Sequence, residues 1–164
     1  MFTTNTYFTA FKNYFYQDGK PLIDALVNTI KFSFTASGSL EIEVLKALNV
    51  PLLQAYTMMR PIEEWEENIQ GLSAVEVSIS VTMPEFDGAI HCVPIAGKYR
   101  DRDNIIYYVP MPERIERLVR KAKKWSVLKH KPNGEKKVAI VFHNYPPTNS
   151  NIGTALGMDS PESI

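Results

Sequence analysis

The spacing of apolar residues predicts alternating helices and strands in the first third of the chain. Aromatic residues at helical spacing indicate a helix within Met1–Gln17, and a similar stripe indicates a short helix at Leu40–Leu48. Apolar runs predict strands at Ala25–Phe32 and Val50–Tyr56. The small, polar segment Ser33–Ser39 follows the first of these strands, as loops do at the carboxyl ends of parallel strands. This order of strand, loop, helix and strand is typical of parallel α/β architecture.

The remaining apolar patterns extend the same architecture. We expect a short acidic helix at Glu63–Glu67, a strand at Ile105–Val109 and a long helix from Glu113 to about Lys129. The long helix carries a complete apolar stripe, so we expect it to pack across the sheet. Val138–Phe142 is wholly apolar and predicts a further strand of that sheet. We therefore predict an α/β fold, Rossmann-like or flavodoxin-like, with three layers and a mainly parallel sheet, in a single domain or domain fragment covering residues 1–164.

One segment, Gly71–Met83, has both the residue pattern of a strand and that of a helix. Apolar residues alternate with polar ones from Val75 to Val81, which predicts a strand. Ser73 and Glu76, by contrast, have the spacing of a capping box, which predicts the start of a helix. The local pattern alone leaves both structures open.

The overall charge is balanced, which excludes a strong field directed at nucleic acid or anionic lipid. Lys and Arg together number 18, as do Asp and Glu. The positive charges nevertheless crowd the segment between Arg114 and Lys137. We expect those on the long helix to form a solvated face opposite the apolar stripe. A docking surface for an acidic partner and, less favoured, nucleic-acid binding are the alternatives.

Cysteine content and hydropathy narrow the setting further. Cys92 is the only cysteine, which excludes an internal disulfide and a zinc site built from several cysteines. No run approaches the ~18 apolar residues of a membrane helix, and the first residues do not have the pattern of a signal peptide. We therefore expect a cytoplasmic protein without a membrane span. Neither G-x-G-x-x-G nor G-x-x-x-x-G-K-[ST] occurs, so we expect no nucleotide site in this chain.

The stretch Met83–Lys98 concentrates ionisable side chains around a turn. Glu85 and Asp87 precede a glycine, and His91 follows it. Carboxylate and imidazole groups on a turn between regular elements can accept protons or bind metal. The same residues also fit an ordinary turn followed by a structural histidine, and their pattern alone does not separate the two interpretations.

A second polar group follows the apolar run Val138–Phe142. It reads His143-Asn144-Tyr145-Pro146-Pro147 and continues into the polar loop Thr148–Thr154, which contains Asn149 and Asn151. At the carboxyl end of a parallel strand, such residues would lie where α/β proteins bind ligands.

Three longer segments carry a family resemblance that covers the chain from about Leu22 to its end. They are P-I-E-E-W-E-E with G-L-S-A-V-E-V (61–67 and 71–77), M-P-E-F-D-G (83–88), and V-A-I-V-F-H-N-Y-P-P-T-N-S-N-I-G-T-A-L-G-M-D-S-P-E-S (138–163). Together they resemble the large subunit of the class I chelatases, the CobN/magnesium chelatase family. His-Asn-Tyr-Pro-Pro is similar to the cobaltochelatase branch. The segment before P-E-x-D-G is helical in that family, which favours a helix at 71–83.

The resemblance implies an ATP-dependent enzyme that inserts cobalt or magnesium into a tetrapyrrole, as in cobalamin biosynthesis. The ring would be a porphyrin or a corrinoid similar to hydrogenobyrinic acid diamide, and ATP would be bound by partner ATPase subunits. Members of the family are several times longer than 164 residues, so we expect an internal fragment that is inactive alone.

The chemistry of metal insertion assigns expected roles to the polar residues. Two pyrrole N–H protons must leave the ring, and the metal must exchange its waters for transient ligands. We expect Glu85 and His143 to act in catalysis, with His91, His143 and Glu85 as transient metal ligands. Macrocycle-binding residues are expected to be Asp87, Asn144, Tyr145, Asn149 and Asn151, with Arg60 and Arg100 as further sources of charge. We also expect Glu85 to be partly buried and to face one ligand together with His143.

Overall fold

The computed structural model describes residues 4–33, 35, 39–155, 158–159 and 162. They form two compact units, Met1–His130 and Lys131–Ile164. Residues 34 and 36–38 of the predicted loop Ser33–Ser39 lie outside the described residues. Among those described, no helix is both long enough and apolar enough to cross a membrane.

The first unit alternates helices and strands, as the apolar spacing predicts. Its helices are α1 (Thr4–Tyr14), α2 (Ser39–Leu48), α3 (Ile62–Glu67), α4 (Ala74–Val77), a π-helical turn (Ser78–Thr82), α5 (Met83–Phe86) and α6 (Pro112–His130). Its strands are β1 (Tyr16–Gln17), β2 (Lys20–Pro21), β3 (Leu26–Asn28), β4 (Leu52–Pro61), β5 (Ala89–Arg100) and β6 (Ile106–Pro110). β1 and β2 form a small antiparallel hairpin apart from the main sheet.

The main sheet has four strands in the order β3-β4-β5-β6. β3, β4 and β5 are parallel, and β6 returns antiparallel to β5. Leu26, Leu52 and Ala89 are register partners, which aligns the amino ends of the three parallel strands. The predicted α/β class with a mainly parallel sheet is confirmed.

Helices cover both faces of the sheet because β4 is apolar on both sides. Leu53 and Ala55 are fully buried and pack with Leu118 and Trp125 of α6. Met58, also fully buried, belongs to a second cluster with residues of the opposite face, among them Ile62, Trp65 and Leu72. A strand covered on both faces reads as a continuous apolar run, which explains why β4 was evident in the sequence. The predicted packing of the long helix across the sheet is confirmed.

The ambiguous segment Gly71–Met83 is helical from Ala74 onwards. Ser73 caps α4 by accepting a hydrogen bond from the backbone N–H of Glu76, whose side chain in turn accepts from the Ser73 backbone N–H. The chain continues from α4 through the π-helical turn into α5, which ends at Phe86. The capping chemistry and the family resemblance were therefore the correct guides, and the alternation of apolar residues was misleading.

The described residues of the second unit form short elements only. They are two 3₁₀ turns (Asn133–Glu135 and Asn149–Asn151) and the hairpin of β7 (Thr154–Ala155) and β8 (Met158–Asp159). The predicted strand at Val138–Phe142 is wrong: the run is not assigned to a strand, and Val138 and Val141 are 83% and 91% exposed. An apolar run becomes a strand only when a neighbouring strand pairs with its backbone, and none of the described residues does so.

Candidate functional site

The turn Pro84–Gly88 lies at the amino edge of the parallel strands. Asp87 ends α5, and Gly88 has a positive φ of 89°, a conformation that glycine adopts at little cost. β5 begins at the next residue, Ala89, which is aligned with the first residues of β3 and β4. We had expected the functional loops at the carboxyl edge, so the structure moves this turn to the other end of the sheet.

Asp87 holds the loop that follows β3. Its Oδ1 accepts hydrogen bonds from the hydroxyls of Ser33 and Thr35, both at 2.6 Å, and from the Thr35 backbone N–H at 3.1 Å. A carboxylate with several donors is a strong anchor, because hydrogen bonds to charged groups are the stronger ones. Sequence reasoning found Asp87 and the loop Ser33–Ser39 but not the contact between them, since nothing in a Ser/Thr-rich loop indicates which carboxylate it will meet.

Glu85 is exposed, so the prediction that it is partly buried is wrong. It lies on the outer side of α5, whereas Pro84 beside it is buried. Burial, and after it the negative charge of Glu85, raises the pKa of the Cys92 thiol. The carboxylate is therefore accessible to a bound molecule while its field extends into β5.

A cavity of about 640 Å³ opens beside this turn. Phe86, Asp87 and Gly88 form part of its wall, and Ile42 and Lys46 of α2 form another part. Phe86 is 75% exposed, an unusual state for a phenylalanine that serves only packing. The cavity thus combines apolar side chains with a carboxylate and an ammonium group, a composition that suits a large, mostly apolar ligand with polar substituents.

His91 lies on β5 and faces α6. Its Nδ1 is 3.3 Å from Nζ of Lys121, and its ring centroid is 6.2 Å from that of Trp125. Burial, and then the charge of Lys121, lowers the pKa of His91 and favours the neutral imidazole. A neutral imidazole is the form that binds metal. Lys121 is a partner that the sequence did not reveal, because 30 positions separate the two residues.

The predicted residues of the second unit surround a compact loop. His143 and Tyr145 have ring centroids 6.2 Å apart, and Asn144 forms an isolated bridge with Ile152. The His143 carbonyl accepts from the Gly153 N–H, and the Asn151 side chain donates to the Pro146 carbonyl. Asn149 begins the 3₁₀ turn that closes the loop. The structure therefore brings these five predicted residues together: His143, Asn144, Tyr145, Asn149 and Asn151.

Glu85 and His143 belong to different units, so their approach to one ligand stays a prediction. Within the described residues, no group of three or more His, Cys, Asp and Glu side chains could hold a metal ion.

One partly buried cation, Arg60, was expected from the sequence only as a source of charge. Arg60, near the carboxyl end of β4, has its Nε 3.7 Å from Oε2 of Glu76. Glu76 is 3% exposed, and burial opposes its ionisation. Hydrogen bonds from Met59 and Ser73, together with the charge of Arg60, outweigh that effect and lower the pKa of Glu76. The pair stabilises the start of α4 against β4. Arg100, the other arginine expected to supply charge, donates a hydrogen bond to Asn104 at the surface.

Comparison with known proteins identifies the family. The model of the CobN/Magnesium Chelatase family matches residues 2–164. An uncharacterised protein of Methanocaldococcus jannaschii is 44% identical over 164 residues, which is 94% of this chain and 13% of that protein. The aerobic cobaltochelatase subunit CobN of Pseudomonas aeruginosa is 33% identical over 142 residues, covering 83% of this chain and 11% of its own.

A solved structure gives the same result. The catalytic subunit of cobaltochelatase from Mycobacterium tuberculosis superposes with a TM-score of 0.72 and 35% sequence identity over 85% of this chain and 12% of its own. The chain thus spans between 11% and 13% of the length of these relatives. With the family model matching nearly every residue, the chain belongs to the CobN/magnesium chelatase family.

Proposed function

We propose that this chain is a segment of the tetrapyrrole-binding large subunit of a metal chelatase, which inserts cobalt or magnesium at the expense of ATP hydrolysed by partner subunits. One observation carries the proposal: 85% of the chain superposes on the catalytic subunit of a cobaltochelatase at 35% identity. The cavity beside the Pro84–Gly88 turn supports it, because its size and mixed polarity suit the edge of a macrocycle.

The exposed residues of the turn supply the chemistry that ring metallation requires. Phe86 offers an aromatic face on which a planar, conjugated ring can stack. Glu85, one residue earlier, is accessible to a ring bound in that position and can accept the pyrrole N–H protons as the metal enters. Asp87 already accepts three hydrogen bonds from the loop, so its contribution to ring binding is to fix the wall of the cavity.

Imidazoles complete the proposed path of the metal. His143 is exposed and lies beside the exposed Tyr145. His91 is half-buried, and burial and then the charge of Lys121 lower its pKa, which favours the neutral ring. Imidazole ligands suit first-row transition metals, whereas magnesium prefers oxygen ligands. Together with the resemblance of His-Asn-Tyr-Pro-Pro to the cobaltochelatase branch, this favours cobalt as the substrate metal and magnesium as the alternative. Asn144, Asn149 and Asn151 would hydrogen-bond the carboxylates or amides on the ring periphery.

The test is metal insertion by the complete large subunit with its ATPase partners. A free-base porphyrin and a cobalt-free corrinoid are each incubated with ATP and either Co²⁺ or Mg²⁺, and the absorbance change on metallation is followed. We expect ATP-dependent insertion of one of the two metals, and no insertion by the 164-residue chain alone, which has neither nucleotide-binding motif. Absence of insertion of both metals into both rings would contradict the proposal.

A non-catalytic docking role is the second candidate function. It is favoured by the basic groove beside β5, whose cationic residues Arg114, Arg117 and Lys121 have no part in the chemistry described above. Nucleic-acid binding is less favoured, because the chain carries no net charge and no reading motif.

A further inference from the structure

β5 has an open edge over its first half. β4 pairs with β5 from Ala89 to Lys98, whereas β6 pairs with it only from Ala96 to Arg100. Counting the described residues alone, the stretch Ala89–Pro94 therefore has a strand neighbour on one side only. Backbone N–H and C=O groups on such an edge are available to an added strand.

A groove of about 170 Å³ follows this edge, and α6 supplies its other wall. Three basic residues of α6 line it, at positions i, i+3 and i+7: Arg114, Arg117 and Lys121. From β5 the groove receives His91, Cys92, Val93 and Pro94. The apolar stripe of α6 packs into the core at Leu118, so the basic row lies beside the buried face rather than opposite it. This placement differs from the fully solvated basic face that the sequence predicted.

Two of the three cations face the groove without a counter-ion. Arg114 forms an ion pair with Glu113 at 3.0 Å, but that glutamate is 72% exposed. Across the described part of the chain, neither Arg117 nor Lys121 has a carboxylate within ion-pair distance. Lys121 instead contacts the imidazole of His91 at 3.3 Å. The groove therefore presents uncompensated positive charge next to unpaired strand backbone.

We infer that this groove binds an extended, acidic segment of a partner protein, which adds a strand to the open edge of β5 and directs carboxylates at Arg117 and Lys121. Alternate residues of a strand are roughly 6.6 Å apart, and helix residues three or four positions apart are about 5–6 Å apart. A segment with acidic residues at every second position would therefore match the two cations. The inference does not depend on the proposed chelatase function.

A polypeptide fits the groove better than a nucleic acid does. Phosphates would neutralise the cations, but a nucleic acid cannot form the ladder of backbone hydrogen bonds that a strand edge offers. The groove is also small, and two residues that line it contact tryptophans: Arg114 lies 5.1 Å above the Trp65 ring, and the ring centroid of His91 is 6.2 Å from that of Trp125. These are the two tryptophans of the chain, so intrinsic fluorescence reports on occupancy of the groove.

The probe is a ten-residue peptide in which glutamate alternates with valine and threonine. Its control has lysine in place of each glutamate. Both are titrated into the 164-residue chain and into the complete large subunit at physiological ionic strength, following tryptophan fluorescence and hydrogen exchange of the β5 amides. We expect the acidic peptide alone to bind and to slow exchange at His91 and Val93. A random single-stranded oligonucleotide that binds more tightly than the acidic peptide would overturn the inference.

Charge reversal locates the contact. Arg117→Glu with Lys121→Glu should weaken binding of the acidic peptide by about tenfold, the effect of two modest ion pairs, and should allow the lysine peptide to bind. The matched control is Lys123→Glu with Lys137→Glu, which makes the same charge change at two exposed lysines outside the groove. Circular dichroism verifies folding, and alanine replacements at 117 and 121 substitute if the reversal unfolds the chain. Equal weakening by the control, or binding by the chain but not by the complete subunit, would overturn the assignment to a partner protein.

Discussion

Asp87 accepts hydrogen bonds from Thr35, although 52 positions separate them in the sequence. The hydroxyl and the backbone N–H of Thr35 both donate to Oδ1, at 2.6 and 3.1 Å. This contact ties the loop after β3 to the turn before β5, and both residues border the cavity proposed to hold the macrocycle. The geometry of the candidate site thus depends on a carboxylate that performs no chemistry in our proposal.

Replacing Asp87 by alanine should destabilise the fold. The half-buried donors of Ser33 and Thr35 would lose a charged acceptor, and we expect the free energy of unfolding to fall by about 2–3 kcal/mol. Urea denaturation followed by circular dichroism measures the change. Asp103→Ala, in the exposed loop between β5 and β6, is the control and should change stability by less than about 0.5 kcal/mol.

A double-mutant cycle with Thr35→Val separates the contact from general damage. If the contact is as described, the two substitutions should be non-additive, with a coupling energy of at least about 0.5 kcal/mol. Additive effects would show that Asp87 stabilises the turn by other means.

The stability of the first unit should fall in acid through Asp24. Its carboxylate accepts from His130 and from Ser126, each at 2.9 Å, and lies 3.3 Å from Nζ of Lys129. The hydrogen bonds from His130 and Ser126 lower the pKa of Asp24 from 3.8 to about 2. A carboxyl group whose pKa is lower in the folded than in the unfolded state stabilises the fold at any pH above the unfolded-state pKa. This contribution is lost as the pH falls from 3.8 toward about 2.

Asp24→Asn should therefore reduce stability at neutral pH and flatten the acid limb of the profile. Urea midpoints measured between pH 2 and pH 5 test this prediction. The control is Glu116→Gln, which breaks an exposed ion pair on α6, the helix that carries Ser126 and His130. The pKa of Glu76 is also lowered, so stability should still decrease somewhat with falling pH in every variant. An acid limb as steep in Asp24→Asn as in the parent would contradict the assignment.

Gly97 is required by close packing rather than by backbone conformation. A Cβ at this position would lie 2.6 Å from Cγ1 of Ile62 and 3.0 Å from Cε of Met58. We expect Gly97→Ala to lower the free energy of unfolding by about 1–3 kcal/mol, because a filled core must shift to admit it. Gly134→Ala is the control, since its Cβ would meet no atom within 4 Å. Thermal denaturation that leaves Gly97→Ala as stable as this control would refute the packing argument.

Most elements of the first unit were predictable from local pattern, but the long strand β5 was not among the predicted elements. Apolar runs or stripes predict the buried strand β4, the helices α2 and α6 and the return strand β6. The capping box predicted the start of α4, but the alternating apolar residues predicted a strand in the same segment. Only the family resemblance favoured the helix over that strand. The failure at Val138–Phe142 has the opposite origin, because a strand depends on a neighbour that its own residues do not encode.

The candidate site was predictable in its residue types but not in its geometry. Glu85, Asp87 and His91 were identified from a short polar motif, yet their environments differ: one is exposed, one anchors a loop, and one faces Lys121. These differences come from contacts over 30 to 54 positions, which no local window contains. Long-range pairing also decided that the turn lies at the amino edge of the sheet, since the register of β5 against β4 sets that position.

Glu85 is the residue whose replacement tests the proposed chemistry most directly. Glu85→Gln keeps the size and the hydrogen-bonding capacity of an exposed side chain but removes the proton acceptor. In the complete large subunit we expect tetrapyrrole affinity to stay nearly unchanged and the rate of metal insertion to fall by roughly 10²–10⁴-fold, the range of a lost general base. Ring affinity is measured by fluorescence quenching and insertion by absorbance, in the same preparation.

A control and a second mutant distinguish a base from a structural role. Glu63→Gln removes another exposed carboxylate, on α3, and should leave both quantities unchanged. Because His143 is the second proposed catalytic residue, His143→Ala should add little to the defect of Glu85→Gln if both act on one ring, and should multiply it if they act independently. Near-normal insertion by Glu85→Gln would eliminate the carboxylate from the mechanism and leave the imidazoles as the remaining candidates for the base.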